Sequence, residues 1–143
     1  MHKFIMAATL LAAFSAQAET ELIVHGRSHH THARGNGGTW NQTNYGLGIR
    51  GYDEDLSIQA GVYKNSIYKT SAYVMLDYTP LAVGPLLIGG FGGVVTGYNG
   101  GTRVGAGAVL RYQEQNFSVT LRAAPRFRAA KSGVLAVEVG FKF

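Results

Sequence analysis

The chain alternates apolar and polar side chains at every second position over six segments. In residues 44–51, Tyr45, Leu47 and Ile49 interleave with residues that are small or charged. A period of two is typical of a β-strand whose two faces meet different surroundings. The same pattern predicts strands at residues 56–63, 71–78, 103–112, 117–124 and 134–143.

Two further strands are predicted from a less regular pattern. The first runs from Glu21 to about His32, and the other runs from Leu86 to about Gly97. The glycine-rich stretch Gly89 to Gly93 leaves open which face of this fifth strand points inward. The sequence therefore predicts eight strands and no helix after its N-terminal segment.

The two faces of the predicted strands differ in chemistry. One face is bulky and nearly free of charge, whereas the other carries Gly, Ser, Asn and Thr with a few charges. In a small membrane barrel the apolar face meets lipid, and polar side chains of both signs pair inside. Ten residues with a tilt of about 40° span roughly 25 Å, which is the height of an outer-membrane apolar band. The pattern favours an all-β fold, an eight-stranded antiparallel transmembrane β-barrel, over a sandwich or a soluble calyx. The polar network expected in the lumen is Arg50, Asp77, Arg111, Arg122 and Glu138.

The segments between the strands fall into two groups. Short periplasmic turns are predicted at residues 53–55, 79–84 and 113–116, and longer external loops at 33–43, 64–70, 98–102 and 125–133. Aromatic residues near the strand ends predict two interfacial girdles. The periplasmic girdle would contain Tyr52, Tyr78, Tyr112, Phe117, Phe141 and Phe143, and the external girdle Trp40, Tyr45, Tyr68, Tyr98 and Phe127.

The N-terminal segment has the features of an export signal. Lys3 precedes an uncharged apolar run from Phe4 to Phe14, and Ala16 and Ala18 form the small-residue pattern that signal peptidase reads. The run is shorter than the about 20 residues that a spanning helix needs. We therefore expect a cleaved signal peptide at residues 1–18 and one barrel domain at residues 19–143.

The last strand carries a motif of its own. The stretch from Val137 to Phe143 alternates and ends on Phe141 and Phe143, and it resembles the signal by which the outer-membrane assembly machinery recognises its β-barrel substrates. The chain is similar in size and plan to eight-stranded outer-membrane barrels of bacteria. The stretches 44–48 and 63–66 also resemble small uncharacterised barrels of bacteria and bacteriophages. The resemblance implies a bacterial outer-membrane location, with the assembly machinery and outer-membrane lipid as partners, and it implies no known activity.

The charge of the chain is uneven along the predicted topology. There are 13 Lys and Arg against 8 Asp and Glu, a net charge of +5. Nucleic acid is disfavoured as the partner, because 46% hydrophobic and 11% aromatic residues are unlike a basic nucleic-acid module. Every acidic residue after the predicted signal peptide falls in the periplasmic half, whereas unpaired cations fall at the external rim. This partition predicts that the rim engages anionic lipopolysaccharide or another external ligand, although plain solvated loop charge gives the same count. The rim cations are Arg27, Arg34, Lys64, Lys69, Arg103, Arg126, Arg128 and Lys131.

Histidines crowd the first strand and raise the question of a metal site. On a regular strand His25 and His29 share a face about 13 Å apart, too far for a common ion. Only His30 and His32 could chelate together, and no external Asp or Glu completes a site. Because the chain also has no cysteine, we expect no metal and no cofactor.

An acyl-modifying enzyme is the alternative function. Some small outer-membrane barrels are lipid A palmitoyltransferases or deacylases with Ser and His near the outer rim, and Ser28, His30 and Ser66 are the weak candidates here. A hydrolytic site needs a nucleophile, a base and a group that orients the base, and the external half offers no carboxylate. The sequence favours a monomeric, non-porin barrel with a surface-interaction or envelope-modifying role. A soluble periplasmic barrel is a third possibility.

Overall fold

The computed structural model describes residues 19–32, 38–99, 101–126 and 132–143. The expected signal peptide lies outside these residues. The strands are β1 (Glu19–His30), β2 (Thr43–Asp53), β3 (Leu56–Lys64), β4 (Thr70–Val83), β5 (Leu86–Tyr98), β6 (Gly101–Gln113), β7 (Phe117–Ala124) and β8 (Val134–Lys142). In the described part of the chain, no helix is long and apolar enough to cross a membrane.

The eight strands form one closed barrel. Each strand pairs antiparallel with its neighbour in the chain, and β1 also pairs with β8. Closure gives every strand two partners, so no sheet edge stays open. The predicted eight-stranded antiparallel barrel is confirmed.

Two kinds of connection define the ends of the barrel. The connections β1–β2, β3–β4, β5–β6 and β7–β8 are at one end, which we call the basic end, and the structure describes their residues 31–32, 38–42, 65–69, 99, 125–126 and 132–133. The turns 54–55, 84–85 and 114–116 lie at the other end, which we call the acidic end. Exposed side chains of opposite charge at the two ends give the ends their names.

The alternation of side chains separates the lumen from the outer surface. Leu47, Val62 and Leu76 point outward and are 50–55% exposed, whereas Arg50 and Gln59 are fully buried in the lumen. An apolar outer face around a polar interior is the arrangement of a barrel surrounded by lipid. The large apolar side chains on this surface include Tyr45, Ile49, Leu81, Val83, Val94, Val104 and Phe141.

The structure gives the facing of β5, which the sequence left open. Ile88 and Val94 lie on the outer surface, 38% and 43% exposed. Phe91 has the opposite facing, and its ring lies 5.1 Å below the guanidinium carbon of Arg122. The packing of Phe91 against Arg122 therefore shows which face of β5 points inward, which the glycines of this strand do not indicate.

One predicted turn is wrong. The segment 79–84 is not a turn, because β4 continues to Val83 and the chain reverses only at Gly84 and Pro85. Pro80 lies where the β4–β5 pairing is irregular, between Tyr78 and Leu81. A proline cannot donate a ladder hydrogen bond, and a bulge is one of the few places where a strand tolerates it. Gly84 adopts a φ of 58°, which suits glycine at the actual turn.

The facing predicted for the histidines of β1 is also wrong. His25 pairs with Glu138 and Ser28 pairs with Ala136, so β1 has one more residue than β8 between these two pairs. This bulge shifts the alternation by one position. His25 and His30 therefore face the lumen, whereas His29 is exposed on the outside. His32 lies beyond the strand end and is exposed, so it does not share a face with His30.

The two aromatic girdles are present only in part. Tyr52 is 9% exposed and packs in the lumen with its ring 5.2 Å from the Arg111 guanidinium carbon. Tyr98 is hydrogen-bonded to Ser66 across 3.2 Å at the basic end. Phe127 lies outside the described residues. The girdle residues that are exposed on the outer surface are Tyr45, Tyr68, Tyr78, Tyr112, Phe117, Phe141 and Phe143.

Candidate functional site

A network of buried charges fills the middle of the lumen. Arg50 donates to Glu21 at 3.1 Å, to Glu138 at 2.7 Å and to Gln59 at 2.6 Å. Arg50 and Glu21 are fully buried. Removing one partner of such a pair leaves an unpaired buried charge, which costs about 3–5 kcal/mol.

Asp77 joins the other two arginines of the lumen. Arg122 donates to both oxygens of Asp77, and its Nε donates to Glu138 at 2.8 Å. Arg111 donates to the same carboxylate of Asp77 and to Ser57. The network therefore balances three arginines with Glu21, Asp77 and Glu138, so it carries no net charge.

All five residues expected in the lumen network lie in it, and the sequence did not predict several of their partners, which include Glu21, Gln59, Ser57 and Thr120. Glu21 and Gln59 complete the shell around Arg50. Glu21 is on the same face of β1 as Ile23, which is 0% exposed, so its position in the alternation was the available signal. Gln59 faces Arg50 directly across the β2–β3 ladder.

Glycines let one large side chain cross the lumen beside this network. The Tyr73 hydroxyl is 2.7 Å from His25 Nε2 and accepts a hydrogen bond from Gln59 at 2.9 Å. A Cβ on Gly48 would collide with this hydroxyl, and a Cβ on Gly61 would lie 2.9 Å from it. Because Gly48 on β2 and Gly61 on β3 have no side chain, there is room for the Tyr73 ring.

The expected rim cations that the structure describes all lie at the basic end. Arg27, Lys69, Arg103 and Arg126 are exposed, and Lys64 is half-buried. Lys69 donates to the side-chain carbonyl of Asn99 at 2.9 Å, and Arg103 donates to the Asn99 main-chain carbonyl at 3.0 Å. The other three expected cations, Arg34, Arg128 and Lys131, lie outside the described residues.

The acidic end has the opposite charge. Glu19 forms a salt bridge with Lys142 at 2.7 Å, and four other acidic side chains of this end are exposed in its turns or at a strand end. They are Asp53, Glu54, Asp55 and Glu114.

A cavity of about 190 Å³ lies between the charged network and the basic end. His25, Ser28, His30 and Ser66 line it, together with Tyr98. The three weak catalytic candidates, Ser28, His30 and Ser66, thus border one space. No nucleophile and base are joined, however, because Ser28 donates to Asn44, Ser66 bonds to Tyr98 and the His30 ring stacks on Trp40.

A metal site is not formed by the described residues. No group of three or more His, Asp or Glu side chains in them could hold an ion. His25 instead has Tyr73 on one ring nitrogen, and its other ring nitrogen is 3.8 Å from a Glu138 oxygen.

The proposed assembly motif lies on the outer surface of β8. Phe141 is 50% exposed and opposes Leu22 on β1 and Phe117 on β7. Phe143 follows the strand, is 82% exposed, and its N–H donates to the Thr20 carbonyl at 3.3 Å. Both aromatic side chains are therefore accessible from outside the barrel.

Known proteins match this chain in structure and not in sequence. No protein-family model and no curated protein matches the chain. A de novo designed transmembrane β-barrel matches with a TM-score of 0.61 at 12% identity, over 88% of this chain and 95% of the designed one. The solution NMR structure of the designed barrel TMB2.3 matches with a TM-score of 0.63 at 12% identity, over 90% and 98%.

A natural membrane protein is also similar. The outer membrane protein Ail of Yersinia pestis, solved in a phospholipid bilayer nanodisc, matches with a TM-score of 0.51 at 11% identity, over 89% of this chain and all of Ail, 100%. Identities this low establish the fold alone. The chain therefore has the fold of eight-stranded transmembrane β-barrels.

Proposed function

We propose that the protein is a bacterial outer-membrane barrel whose basic end binds the phosphate groups of lipopolysaccharide. The observation that carries this proposal is the separation of charge between the two ends. The segments 31–42, 65–69, 99–100 and 125–133 contain no Asp or Glu. The cations that the structure describes at the basic end form no salt bridge with another described residue, whereas the lumen network is balanced within itself.

The geometry of Lys69 and Arg103 supports this proposal. Both side chains donate to oxygens of the neutral residue Asn99. The two positive charges are thus drawn to one residue without being cancelled. Hydrogen bonds from Lys or Arg to phosphate are stronger than hydrogen bonds between neutral groups. A phosphate should therefore bind these two side chains more strongly than the Asn99 oxygens or water do.

Two further observations support the membrane location. The outer surface is apolar along the strands, and one protein of similar fold is an outer membrane protein studied in a lipid bilayer. The exposed aromatic residues Phe141 and Phe143 are accessible to the outer-membrane assembly machinery, which we propose as the second partner. Because charged side chains fill the lumen, a surface role fits the barrel better than a porin role. We expect it to act as a monomer, since closure leaves no strand edge for pairing.

The enzyme alternative has less support. A Ser hydrolase needs its nucleophile within hydrogen-bond reach of a base. Ser28 and Ser66 are both engaged with neutral partners, Asn44 and Tyr98. The basic end is therefore better suited to binding than to acyl transfer.

Binding of purified lipopolysaccharide to the refolded barrel in detergent tests the proposal. The variant Lys69→Ser/Arg103→Ser/Arg126→Ser removes three cations at the basic end. A cation near an anionic lipid surface contributes about 1 kcal/mol, so we expect binding to weaken by about 100-fold. Raising the salt concentration should weaken binding of the unmodified protein more than binding of the variant, which keeps five of the eight expected rim cations.

The matched control keeps the charges and changes the side chains. Lys69→Arg/Arg103→Lys/Arg126→Lys should bind within a few-fold of the unmodified protein. The unmodified protein should bind lipopolysaccharide that lacks its lipid A phosphates about as weakly as the serine variant binds intact lipopolysaccharide. Equal affinity of the serine variant and the unmodified protein would show that the basic end is not the binding surface.

A further inference from the structure

We propose that the basic end binds a phosphate together with the sugar ring that carries it, and that Tyr68 is the residue that contacts the sugar. This inference rests on the proposed function, because the phosphates of lipid A are attached to sugar rings. It adds a discrimination between lipids, since the phosphate of a phospholipid is attached to glycerol. Tyr68 directly precedes Lys69 in the loop between β3 and β4, and Lys69 and Arg103 both donate to Asn99.

Asn65 holds this loop in one conformation. It is fully buried, and its side-chain oxygen accepts from the main-chain N–H groups of Ile67 and Lys69 at 3.0 and 2.9 Å. Its side-chain nitrogen donates to Ser71 at 2.9 Å and to the Gly97 carbonyl at 3.1 Å. The Asn65 N–H also donates to the Lys69 carbonyl at 2.7 Å, which closes the loop. One buried side chain therefore fixes the loop internally and joins it to β5.

The loop is also joined to the connection that precedes β2. The Asn41 N–H donates to the Ser66 carbonyl at 2.9 Å, and the Asn41 side chain donates to the Asn65 carbonyl at 3.0 Å. Ser66 is in turn hydrogen-bonded to Tyr98. A surface whose groups are held in place before binding loses less conformational entropy when a ligand arrives. The part of the basic end that carries Tyr68 is therefore preorganised.

The backbone of Tyr68 is unfavourable for its own side chain. Its φ is 63°, a left-handed conformation that glycine and asparagine adopt more easily than a bulky residue does. The side chain is 54% exposed, and its hydroxyl has no hydrogen bond to another described residue. The loop therefore gains little from the ring, and glycine would suit the backbone better. Strain of this kind is concentrated at functional sites, and an exposed tyrosine offers a ligand a rigid apolar face with a polar tip.

The neighbours of Tyr68 favour a sugar phosphate as the ligand. A phosphate bound by Lys69 and Arg103 places the group that carries it beside Tyr68. A pyranose ring has C–H groups that pack on an aromatic face and hydroxyls that hydrogen-bond to a phenol. Glycerol is smaller and flexible, so it covers less of that face. A tyrosine that only anchored the barrel at the lipid interface would not distinguish the two.

Two phosphate monoesters of equal charge test this discrimination. The isotope-labelled, refolded barrel in detergent is titrated with glucose 1-phosphate and with glycerol 1-phosphate, and its amide signals are followed by NMR. Both should shift the signals of Lys69 and Arg103, with affinities in the millimolar range because the ligands are small. Glucose 1-phosphate should bind about 5-fold more tightly, which is the gain typical of one aromatic contact.

Variants of Tyr68 separate the ring from the backbone. Tyr68→Asn removes the ring and keeps a residue that tolerates the left-handed conformation, so it should bind the two esters equally while its affinity for glycerol 1-phosphate stays the same. Tyr68→Phe keeps the ring and should retain most of the preference. Tyr78→Asn is the matched control, because Tyr78 is 55% exposed on the half of β4 nearer the acidic end, and it should leave the preference intact. Heat-modifiable migration on gels shows which variants are folded, and Tyr68→Gly replaces Tyr68→Asn if the latter does not fold.

Lipopolysaccharide itself gives the last comparison. Tyr68→Asn should weaken its binding by about the same factor as that of glucose 1-phosphate, and an unchanged affinity would mean that the lipid is not held through its sugar. Equal binding of the two esters by the unmodified protein, or an unchanged preference in Tyr68→Asn, would also overturn the inference. None of these results would rescue or refute the proposed function, which fails only if the serine variant of Lys69, Arg103 and Arg126 binds lipopolysaccharide as well as the unmodified protein does.

Discussion

Asp77→Asn tests whether the charged network holds the barrel together. The change keeps the shape of the side chain and removes one negative charge from a balanced set. Asp77 accepts hydrogen bonds from Arg111, Arg122 and Ser57 and is 1% exposed. After the substitution, the network of described residues would hold three arginines and only two carboxylates.

The expected loss follows from what each arginine keeps. Arg122 still has Glu138 at 2.8 Å, whereas among the described residues Asp77 is the one carboxylate paired with Arg111. Arg111 would therefore become a buried charge without a counter-ion. Breaking such a pair costs about 3–5 kcal/mol. With a urea dependence of about 2 kcal/mol per molar, the unfolding midpoint should fall by roughly 2 M.

Urea unfolding of the barrel in lipid vesicles, followed by Trp40 fluorescence and heat-modifiable migration on gels, measures this loss. Asp53→Asn is the matched control, because it makes the same change at an exposed position of the acidic end and should alter stability by less than about 0.5 kcal/mol. Adding Arg111→Met to Asp77→Asn restores the charge balance and should recover at least half of the loss. A loss below about 1 kcal/mol for Asp77→Asn would refute the reasoning.

Two more predictions concern the wall and the interior. Leu47→Arg places a charge on the outer face of β2, at a residue 55% exposed. In a lipid-embedded barrel it should cost about 2–4 kcal/mol on unfolding from vesicles, and no cost would indicate that this face meets water. Gly48→Ala should destabilise by roughly 1–3 kcal/mol, because its Cβ would collide with the Tyr73 hydroxyl. Gly105→Ala, where nothing lies within 4 Å, should be neutral in the same assay, and equal effects of the two would contradict this packing.

The barrel could be predicted from the sequence because lipid and lumen impose opposite chemistry on alternate positions. Leu47 and Arg50 are assigned to opposite faces by their place in that alternation alone. The pattern fails where side chains are absent or the ladder is irregular. The facing of β5 depends on Phe91 packing beneath Arg122, and the end of β4 depends on a bulge that accommodates Pro80.

The candidate sites were less predictable, because they depend on which strands come together. Alternation shows that Glu21 faces inward, but its contact with Arg50 follows from the pairing of β1 with β2. The bulge in β1 leaves no mark in composition, yet it places Ser28 and His30 on the lumen side. The cavity likewise depends on strand pairing, because Ala136 of β8 lies next to Ser28 of β1, which is distant in sequence.

The bulge in β1 also has a consequence for how barrels of this kind vary in length. An extra residue in a regular strand would exchange the lumen and lipid faces of every position up to the next loop. Here Gly26 and Arg27 absorb it locally, and Ser28 opposite Ala136 resumes the lumen face. Natural relatives are therefore expected to gain or lose a single residue at this point while keeping the same side chains inside. Insertions and deletions in the regularly paired parts of the strands should be far rarer.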